Sequence, residues 1–447
     1  MSSTDHDPAD EGVAVPSGRV TRLMRMGGLA ASIAGSAVMN GAAELATGSR
    51  PRLADLMLTP ANARKVTAAL SQMRGAAMKV GQLLSMDAGD VLPREMADIL
   101  ATLRDSAKPM PPAQLGAVLA AEWGRDWRAR FASFDVRPIA AASIGQVHRA
   151  RTKDGRDLAI KVQYPGVRGS IDSDVSNVAG LIRLTGLAPA GLDVTSLLEQ
   201  AKVQLHEEAD YLREADALAD FGALLAGEPA FVVPALHRDL TTPNLLAMDF
   251  IASDPIESLV SALQHVRDEA MAALITLTLR ELFEFRRMQT DPNFSNYRVQ
   301  PDSGRIVLLD FGATRTIEPG LSDRLRALMR AGLDADRDAM RAAALAIGYF
   351  SPASDVPHAD GVMALIHTVL EPLGSTAPFE FARTTMVERL RDQGLALAQV
   401  PDLWHVPPVD TLILHRKFAG LFLLGTRLQA VVDVQGLMRP WRGDATA

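Results

Sequence analysis

The sequence predicts an α+β chain in three parts: a helical N-terminal stretch, a small strand-rich unit and a larger helical unit. Three observations carry this. The composition is rich in Ala and Leu with only 5% aromatics, which leans helical. The apolar period changes from three- and four-residue steps to alternation near residue 131, then returns to the helical step after about Ile256. The chain has 447 residues, 48% hydrophobic and 22% charged, which is too long for one small core but rich enough to bury a large one. There is no internal repeat.

Residues 1–18 are polar, acidic and punctuated by Gly and Pro, and are expected to be a disordered tail. A signal or transit peptide would need a basic start. Residues 19–112 are expected to be a helical extension. One helix enters at Thr59-Pro60, and Val66, Leu70, Met73, Ala77, Val80 and Leu84 recur on one face. Gly27 to Ala43 is uncharged but short and made of small residues, whereas a spanning helix needs roughly 20 strongly apolar ones. It reads as a packed or membrane-surface helix whose small residues could also meet a second copy in a homodimer. "KPMPP", Lys108 to Pro112, breaks the extension.

Residues 113–252 are expected to form the strand-rich unit, with a helical insertion. "FASFDVRPIAAASIGQVHRARTKDGRDLAIKVQYPGV" reads as strand, loop, strand, turn, strand, and "KDGR" is the hairpin turn. "FVVPALHRDLTTPNLLAMDFI" reads as a second hairpin. Residues 253–447 are expected to be mostly helix, interrupted by "YRV" and "RIVLLDFG", two short strands around a Ser-Gly turn. Near the C-terminus, "TLILHRKFAGLFLLGTRLQAVVDV" is interrupted by His415, Arg416, Lys417 and Arg427, so it reads as a buried amphipathic helix and not a span.

A net charge of −7 does not favour nucleic acid as the partner. The absence of cysteine removes disulfides, thiolate metal sites and Cys nucleophiles. The nine histidines show no metal-ligand spacing.

Four segments carry chemistry. In "LAIKV", Lys161 sits within an apolar strand, where its ammonium needs an anionic partner or a phosphate unless the strand is an edge and the side chain reaches solvent. In "AAASIGQVHRA", the small residues Ala140, Ala141, Ala142, Ser143 and Gly145 would let a backbone turn approach phosphate, or would form a plain hairpin tip. "HEEADYLREADAL" is acidic and helical in period, with Asp210 and Glu214 four apart and so on one face; a solvated helix is the ordinary alternative. "QTDPNFSNYRV" places Asp291 five residues before Asn296, and "VLLDFGATR" follows with Asp310 in an Asp-Phe-Gly. A strand lysine, a helix glutamate, an Asp with an Asn five residues on, and then an Asp-Phe-Gly form the chain order of protein-kinase-like phosphoryl transfer. In that arrangement the first Asp orients the substrate proton, while the Asn and the second Asp hold magnesium, which prefers oxygen ligands. The fold expected is thus a protein-kinase-like bilobed one with a helical N-terminal extension. "LLAMDFI" falls where backbone groups of a hinge, around Met248 and Phe250, would bind adenine.

With these motifs in place the chain, from about Val20 to Trp441, resembles the UbiB/AarF-type family of atypical kinases, especially members tied to coenzyme Q biosynthesis. "KVGQ" at Lys79 to Gln82 is the most telling match, and "AAASIGQVH", "EADYLREA", "QTDPNFSN" and "RVTRLMRMGGLAASIAGSAV" also fit that pattern. The resemblance implies ATP and Mg2+ as cofactors. It implies Lys161 as the phosphate-fixing lysine, Glu214 as its partner, Asp291 as the catalytic-loop acid, and Asn296 and Asp310 as magnesium ligands. Residues 140–145 would cover the nucleotide. Glu208 and Asp210 would be the Glu-x-Asp pair facing Lys79 and Gln82, on a helix lying where a peptide substrate would otherwise dock.

The chain departs from an ordinary kinase in several places. Lys161 and Glu214 lie 53 residues apart, so residues 165–205 must form an inserted helical piece, itself a feature of the family resembled. Gln289-Thr290-Asp291 replaces His-Arg-Asp, and no Ala-Pro-Glu follows the Asp-Phe-Gly before "LSDRLRALMRAGL" begins another helix. The resemblance therefore implies ATPase-like or small-molecule activity supporting ubiquinone biosynthesis, at the cytoplasmic face of a bacterial inner membrane. Anionic lipid, quinone precursors and ubiquinone-biosynthesis enzymes are the partners expected. A nucleotide-sensing scaffold without turnover and a protein kinase acting in trans are the alternatives.

Overall fold

Leu158, Ile160 and Val162 alternate along one strand and are fully buried, and the first half of the fold is built around them. The computed structural model describes residues 109–142, 144–185, 194–352, 356–398 and 407–443. The expected tail 1–18, the small-residue run Gly27 to Ala43 and the extension as far as residue 108 lie outside the described residues. The chain divides into two units, the first running to Asp216 and taking up Ala235–Phe250, the second comprising Ala217–Pro234 and everything from Ile251.

The first unit opens with α1 (Pro112–Trp123), whose proline at the first helical position is pre-set for helix entry. Strands β1 (Phe131–Phe134), β2 (Ala140–Ala141), β3 (Gly145–Thr152) and β4 (Asp157–Gln163) follow. The expected turn joins β3 to β4, with Gly155 at φ 94°, a left-handed value that suits glycine. Helices α2 (Val167–Thr185) and α3 (Val194–Glu208) pack on each other and form the expected insertion. Helix α4 (Tyr211–Leu224) begins here. Between β5 (Phe231–Val232), which belongs to the second unit, and that unit's later elements, β6 (Leu245–Asp249) returns to this sheet. The strand order is β1-β3-β4-β6, with β2 on β3, and every pairing is antiparallel. Leu119, Trp123, Trp127, Phe131, Ile160 and Leu245 share the core beneath the sheet. Trp123 donates its indole N–H to the Leu240 carbonyl at 3.0 Å, which satisfies the polar edge of a buried ring.

Two local expectations change. The acidic stretch is not one helix: it breaks at Ala209-Asp210, and Asp210 accepts the Arg213 backbone N–H at 3.2 Å as the cap of α4. Asp210 thus stands at the helix entrance, whereas Glu214 is buried within it. The second hairpin also forms only in part, without its first strand Phe231–Val232. Phe231–Val232 pairs in parallel with residues 306–307, while the later part of the segment does fold back antiparallel: bridges join Leu236 to Met248 and Thr242 to Leu245, and the His237 and Asp249 N–H groups donate to the Ala247 and Ala235 carbonyls at 2.9 and 3.0 Å. The expected boundary after residue 252 lies two residues beyond Phe250/Ile251, but Ala217–Pro234 groups with the second unit because β5 is a strand of its sheet.

The second unit holds β7 (Asp254–Pro255), α5 (Gln264–Arg280) and a π-helical turn, Glu281–Phe285. Then come β8 (Arg287–Gln289), β9 (Tyr297–Val299), β10 (Ile306–Leu308) and β11 (Thr314–Thr316). One sheet runs β5-β10-β9-β7, and β11 pairs with β8. Helix α6 (Pro319–Leu333) starts where Glu318 accepts the Gly320 and Leu321 N–H groups at 2.8 and 2.7 Å. Helices α7 (Arg337–Ile347), α8 (Val356–Leu370), α9 (Met386–Ala398) and α10 (Val409–Leu428) complete the larger part. Leu414, Lys417, Leu421, Leu424 and Leu428 are buried along one side of α10, as expected of a buried amphipathic helix. Among the described residues no helix is long and apolar enough to cross a membrane. The elements follow the α+β order of a protein-kinase-like fold.

Candidate active site

In the first unit Lys161 lies on β4 between β3 and β6, so it is not an edge-strand residue reaching solvent. It is 7% exposed. Its ammonium donates to both carboxylate oxygens of Glu214, at 2.9 and 3.0 Å, and stands 5.3 Å from the centre of the Tyr211 ring. A buried ammonium requires such a partner. Gln163, two residues along the same strand face, donates to the Ala209 carbonyl at 3.0 Å and so pins the start of α4 beside β4. These two contacts, at Ala209 just before α4 and at Glu214 within it, bring a 53-residue separation down to a direct contact.

The Ala-rich segment is a hairpin tip in this same unit. Ala140 and Ala141 pair with Val147 and Gln146, and the Ala142 N–H donates to the Gly145 carbonyl at 2.9 Å. A side chain at Gly145 would overlap the Val162 carbonyl oxygen and come within 2.7 Å of the Tyr211 hydroxyl. Glycine is needed there for close approach of the turn to β4. Ser143 lies outside the described residues.

In the second unit the π-helical turn and the Arg286 residue at φ 50° redirect the chain from α5 into β8. Thr290 donates its hydroxyl to the Ala313 carbonyl at 2.7 Å, strapping this strand to the segment after Asp310. Asp291 follows. Asn296 donates through Nδ2 to Asp291 Oδ2 at 3.1 Å, which assigns its carbonyl oxygen as the atom able to reach a cation. The Leu309 N–H donates to the Asn296 carbonyl at 2.8 Å, which places residue 310 one step from the Asn296 backbone. Asp310 sits at φ 59°, a left-handed conformation that Asp tolerates better than most residues and that marks functional sites. Its Oδ1 accepts the Gly312 N–H at 3.2 Å. Asp291, Asn296 and Asp310 are thus gathered by two loops that share backbone hydrogen bonds. Among the described residues no three His, Asp or Glu side chains form a metal cluster. The donor set is one carboxylate and one amide oxygen, hard ligands that suit magnesium completed by water and phosphate oxygens.

Sequence reasoning missed the buried polar group behind this loop. Lys417 on α10 is 2% exposed and donates to the Tyr297 hydroxyl at 2.7 Å and to Gln289 Oε1 at 3.1 Å. Glu281, from the π-helical turn, accepts the Gln289 N–H at 3.2 Å, and its other oxygen lies 3.8 Å from Lys417 Nζ. Burial pushes the Glu281 carboxyl above its ordinary range against the pull of Lys417. Burial likewise raises the Tyr297 phenol. Burial alone would lower Lys417, but its neighbours Tyr297, Glu281 and Asp291 outweigh it and hold the ammonium above its ordinary range. The available signal was a lysine in an apolar helix, which the composition of residues 411–434 disclosed without saying what it met.

Other expected residues are placed as follows. Lys79 and Gln82, the partners expected for Glu208 and Asp210, lie outside the described residues; Glu208 closes α3 and Asp210 caps α4. Arg168 lies 3.8 Å from Asp210. Met248 pairs with Ala159 on β4, and the Phe250 N–H donates to the Asp157 carbonyl at 2.9 Å, so that amide is engaged within the sheet.

A family described as the ABC1 atypical kinase-like domain matches residues 102–344. The atypical kinase COQ8, mitochondrial, of Saccharomyces cerevisiae is 37% identical over 430 residues, covering 95% of this chain and 85% of that protein. The atypical kinase COQ8B, mitochondrial, of Rattus norvegicus is 35% identical over 432 residues, covering 95% and 80%. Among solved structures, Rv3197 of Mycobacterium tuberculosis, determined in complex with erythromycin, is similar with a TM-score of 0.58 and 25% identity, covering 84% of this chain and 94% of that one.

Proposed function

The chain belongs to the ABC1 atypical kinase-like family, the UbiB-type atypical kinases, and is a phosphotransferase-type enzyme; from that premise we propose that it binds ATP with magnesium and hydrolyses it, or passes its phosphoryl group to a small acceptor, in support of ubiquinone biosynthesis. The observation that carries this reading is the Asn296–Asp291 hydrogen bond beside the Leu309-to-Asn296 backbone link, which draws three oxygen-bearing side chains of phosphoryl-transfer type into one loop pair.

Asn296, through its amide oxygen, and Asp310, through its carboxylate, are the residues that would hold magnesium. A bound magnesium ion would neutralise phosphate charge as it redistributes. Asp291 orients the attacking hydroxyl or water and accepts its proton. Lys161 fixes the phosphates, and Glu214 holds its ammonium in one orientation. The hairpin tip at residues 140–145 covers the nucleotide. Lipid headgroups or quinone precursors, and enzymes of ubiquinone synthesis, are the partners this role requires, at the inner surface of a bacterial membrane.

The test is magnesium-dependent phosphate release by the full chain, with and without anionic liposomes and quinone-like phenols. Asp310→Asn should abolish release, and liposomes with phenol should stimulate the wild type. Release unchanged by Asp310→Asn would overturn the assignment. Release without any response to membrane or phenol would overturn the membrane-linked role.

A further inference from the structure

Lys417 is remote in sequence from every motif above, yet it sits directly behind the loop that carries them. Its ammonium donates to Tyr297 and Gln289, with the Glu281 carboxylate 3.8 Å away. Gln289 is the hub. Its side-chain oxygen takes Lys417, its side-chain N–H donates to the Asp310 carbonyl at 3.2 Å, and its backbone N–H donates to Glu281. Tyr297, held by the same ammonium, immediately follows Asn296. The ends of the Asp291–Asn296 loop and the backbone of Asp310 therefore all trace back to one nitrogen. One helical turn further along α10, Gly420 meets Pro292, the residue after Asp291, so closely that a Cβ at Gly420 would overlap it.

A buried ammonium with a buried carboxylate at 3.8 Å, too far for a hydrogen bond, is a poor device for stability alone. Its value lies in direction: an ammonium fixed by two hydrogen bonds fixes the acceptors in return, as outer residues orient metal ligands. We propose that Lys417 is a positioning residue that, through Gln289 and Tyr297, holds the Asp291–Asn296 loop and the Asp310 turn in the geometry for magnesium and nucleotide. This rests on the phosphoryl-transfer reading for its consequence, but the ordering of the loop by Lys417 can be measured without substrate.

The experiment uses the full chain as wild type, Lys417→Met, and Lys417→Met combined with Glu281→Gln, which keeps an acceptor for the Gln289 N–H. The double variant removes both buried charges, so it separates the cost of an orphaned carboxylate from the loss of positioning. Amide hydrogen exchange of the ligand-free proteins is read first. Lys417→Met should speed exchange about tenfold or more in peptides covering 289–297 and 309–314, with α6 and the first turns of α5 unchanged. In phosphate release kcat should fall by about tenfold or more while KM for ATP changes less than about twofold. The double variant should recover its melting temperature but keep the fast loop exchange and the low kcat. Unchanged loop exchange, or exchange raised evenly across the second unit, would overturn the proposal. So would a double variant that regains kcat together with stability. A wild type that releases no phosphate, with the loop exchange as expected, would sink the reaction and leave the positioning role standing.

Discussion

The Nζ of Lys161 donates to both carboxylate oxygens of Glu214, at 2.9 and 3.0 Å, inside a sheet-and-helix junction where neither side chain is more than 8% exposed. Two hydrogen bonds tie the buried ammonium to the buried carboxylate. Glu214→Ala should therefore cost about 3–5 kcal/mol, because it removes the carboxylate that both hydrogen bonds of a buried ammonium reach. Urea unfolding measures this. Lys161→Met with Glu214→Leu should be far closer to wild type in stability while remaining inactive.

Gly145 tests the hairpin tip. Gly145→Ala sets a methyl group against the Val162 carbonyl and the Tyr211 hydroxyl, so the tip must shift. A destabilisation of about 1–3 kcal/mol is expected, with weaker binding of a fluorescent nucleotide analogue. Gly116→Ala on α1, where nothing lies within 4 Å of the added carbon, serves as the control. It should stabilise by about 0.5–1 kcal/mol and leave nucleotide binding alone.

His148 predicts a pH dependence of folding. Its Nδ1 lies 2.7 Å from the Asp135 carbonyl and so must carry the proton. Gln146 is oriented by the Met110 N–H on its side-chain oxygen at 2.8 Å, and therefore presents an N–H to His148 Nε2, also at 2.8 Å. Burial pushes His148 below its ordinary 6.5, outweighing the attraction of Asp135. The unfolded chain thus binds the proton more readily. This contribution is fully present above the unfolded value and is lost as pH falls through 6.5 toward the lower folded one. The slope should approach about 1.4 kcal/mol per pH unit, and His148→Gln should flatten it between pH values of about 7 and 5. Urea midpoints across that range decide the matter.

Gly420→Ala probes the backing of the catalytic loop from the helix side. The added methyl must displace Pro292, and Asp291 is bonded to Pro292. Phosphate release should fall by about tenfold or more, with a stability loss of about 1–3 kcal/mol. Steady-state kinetics beside thermal melting will show whether turnover falls by more than the folded fraction does.

The period-two run around Lys161, the Ser-Gly turn between "YRV" and "RIVLL", and the helical insertion were all legible in the sequence because each is a local pattern. The choice of Glu214 as the lysine's partner came from the family resemblance, and the contact is present. The acidic stretch was misjudged because Asp210 supports either a helix interior or a helix entrance, and the cap is decided by where Gln163 seizes the Ala209 carbonyl. The second hairpin lost its first strand because β5 finds its neighbour about 75 residues downstream, and no turn signal encodes a parallel partner. The Lys417 cluster escaped for the same reason: its four members come from one π-helical turn, two strands and one late helix, joined only by packing.

The parallel pairing of β5 with β10 also bears on how this chain can be cut. The second unit draws one of its strands from before β6 and the rest from after it, so the polypeptide crosses from one unit to the other three times. A fragment beginning at Ile251 would expose the flank of β10 and leave Phe311 without the ring of Phe221, which lies 4.9 Å from it. A fragment ending at Phe250 would carry β5 with nothing to pair against. Neither half can be excised as an autonomous piece, and during synthesis β5 must wait, unpaired, until the ribosome has released residue 308.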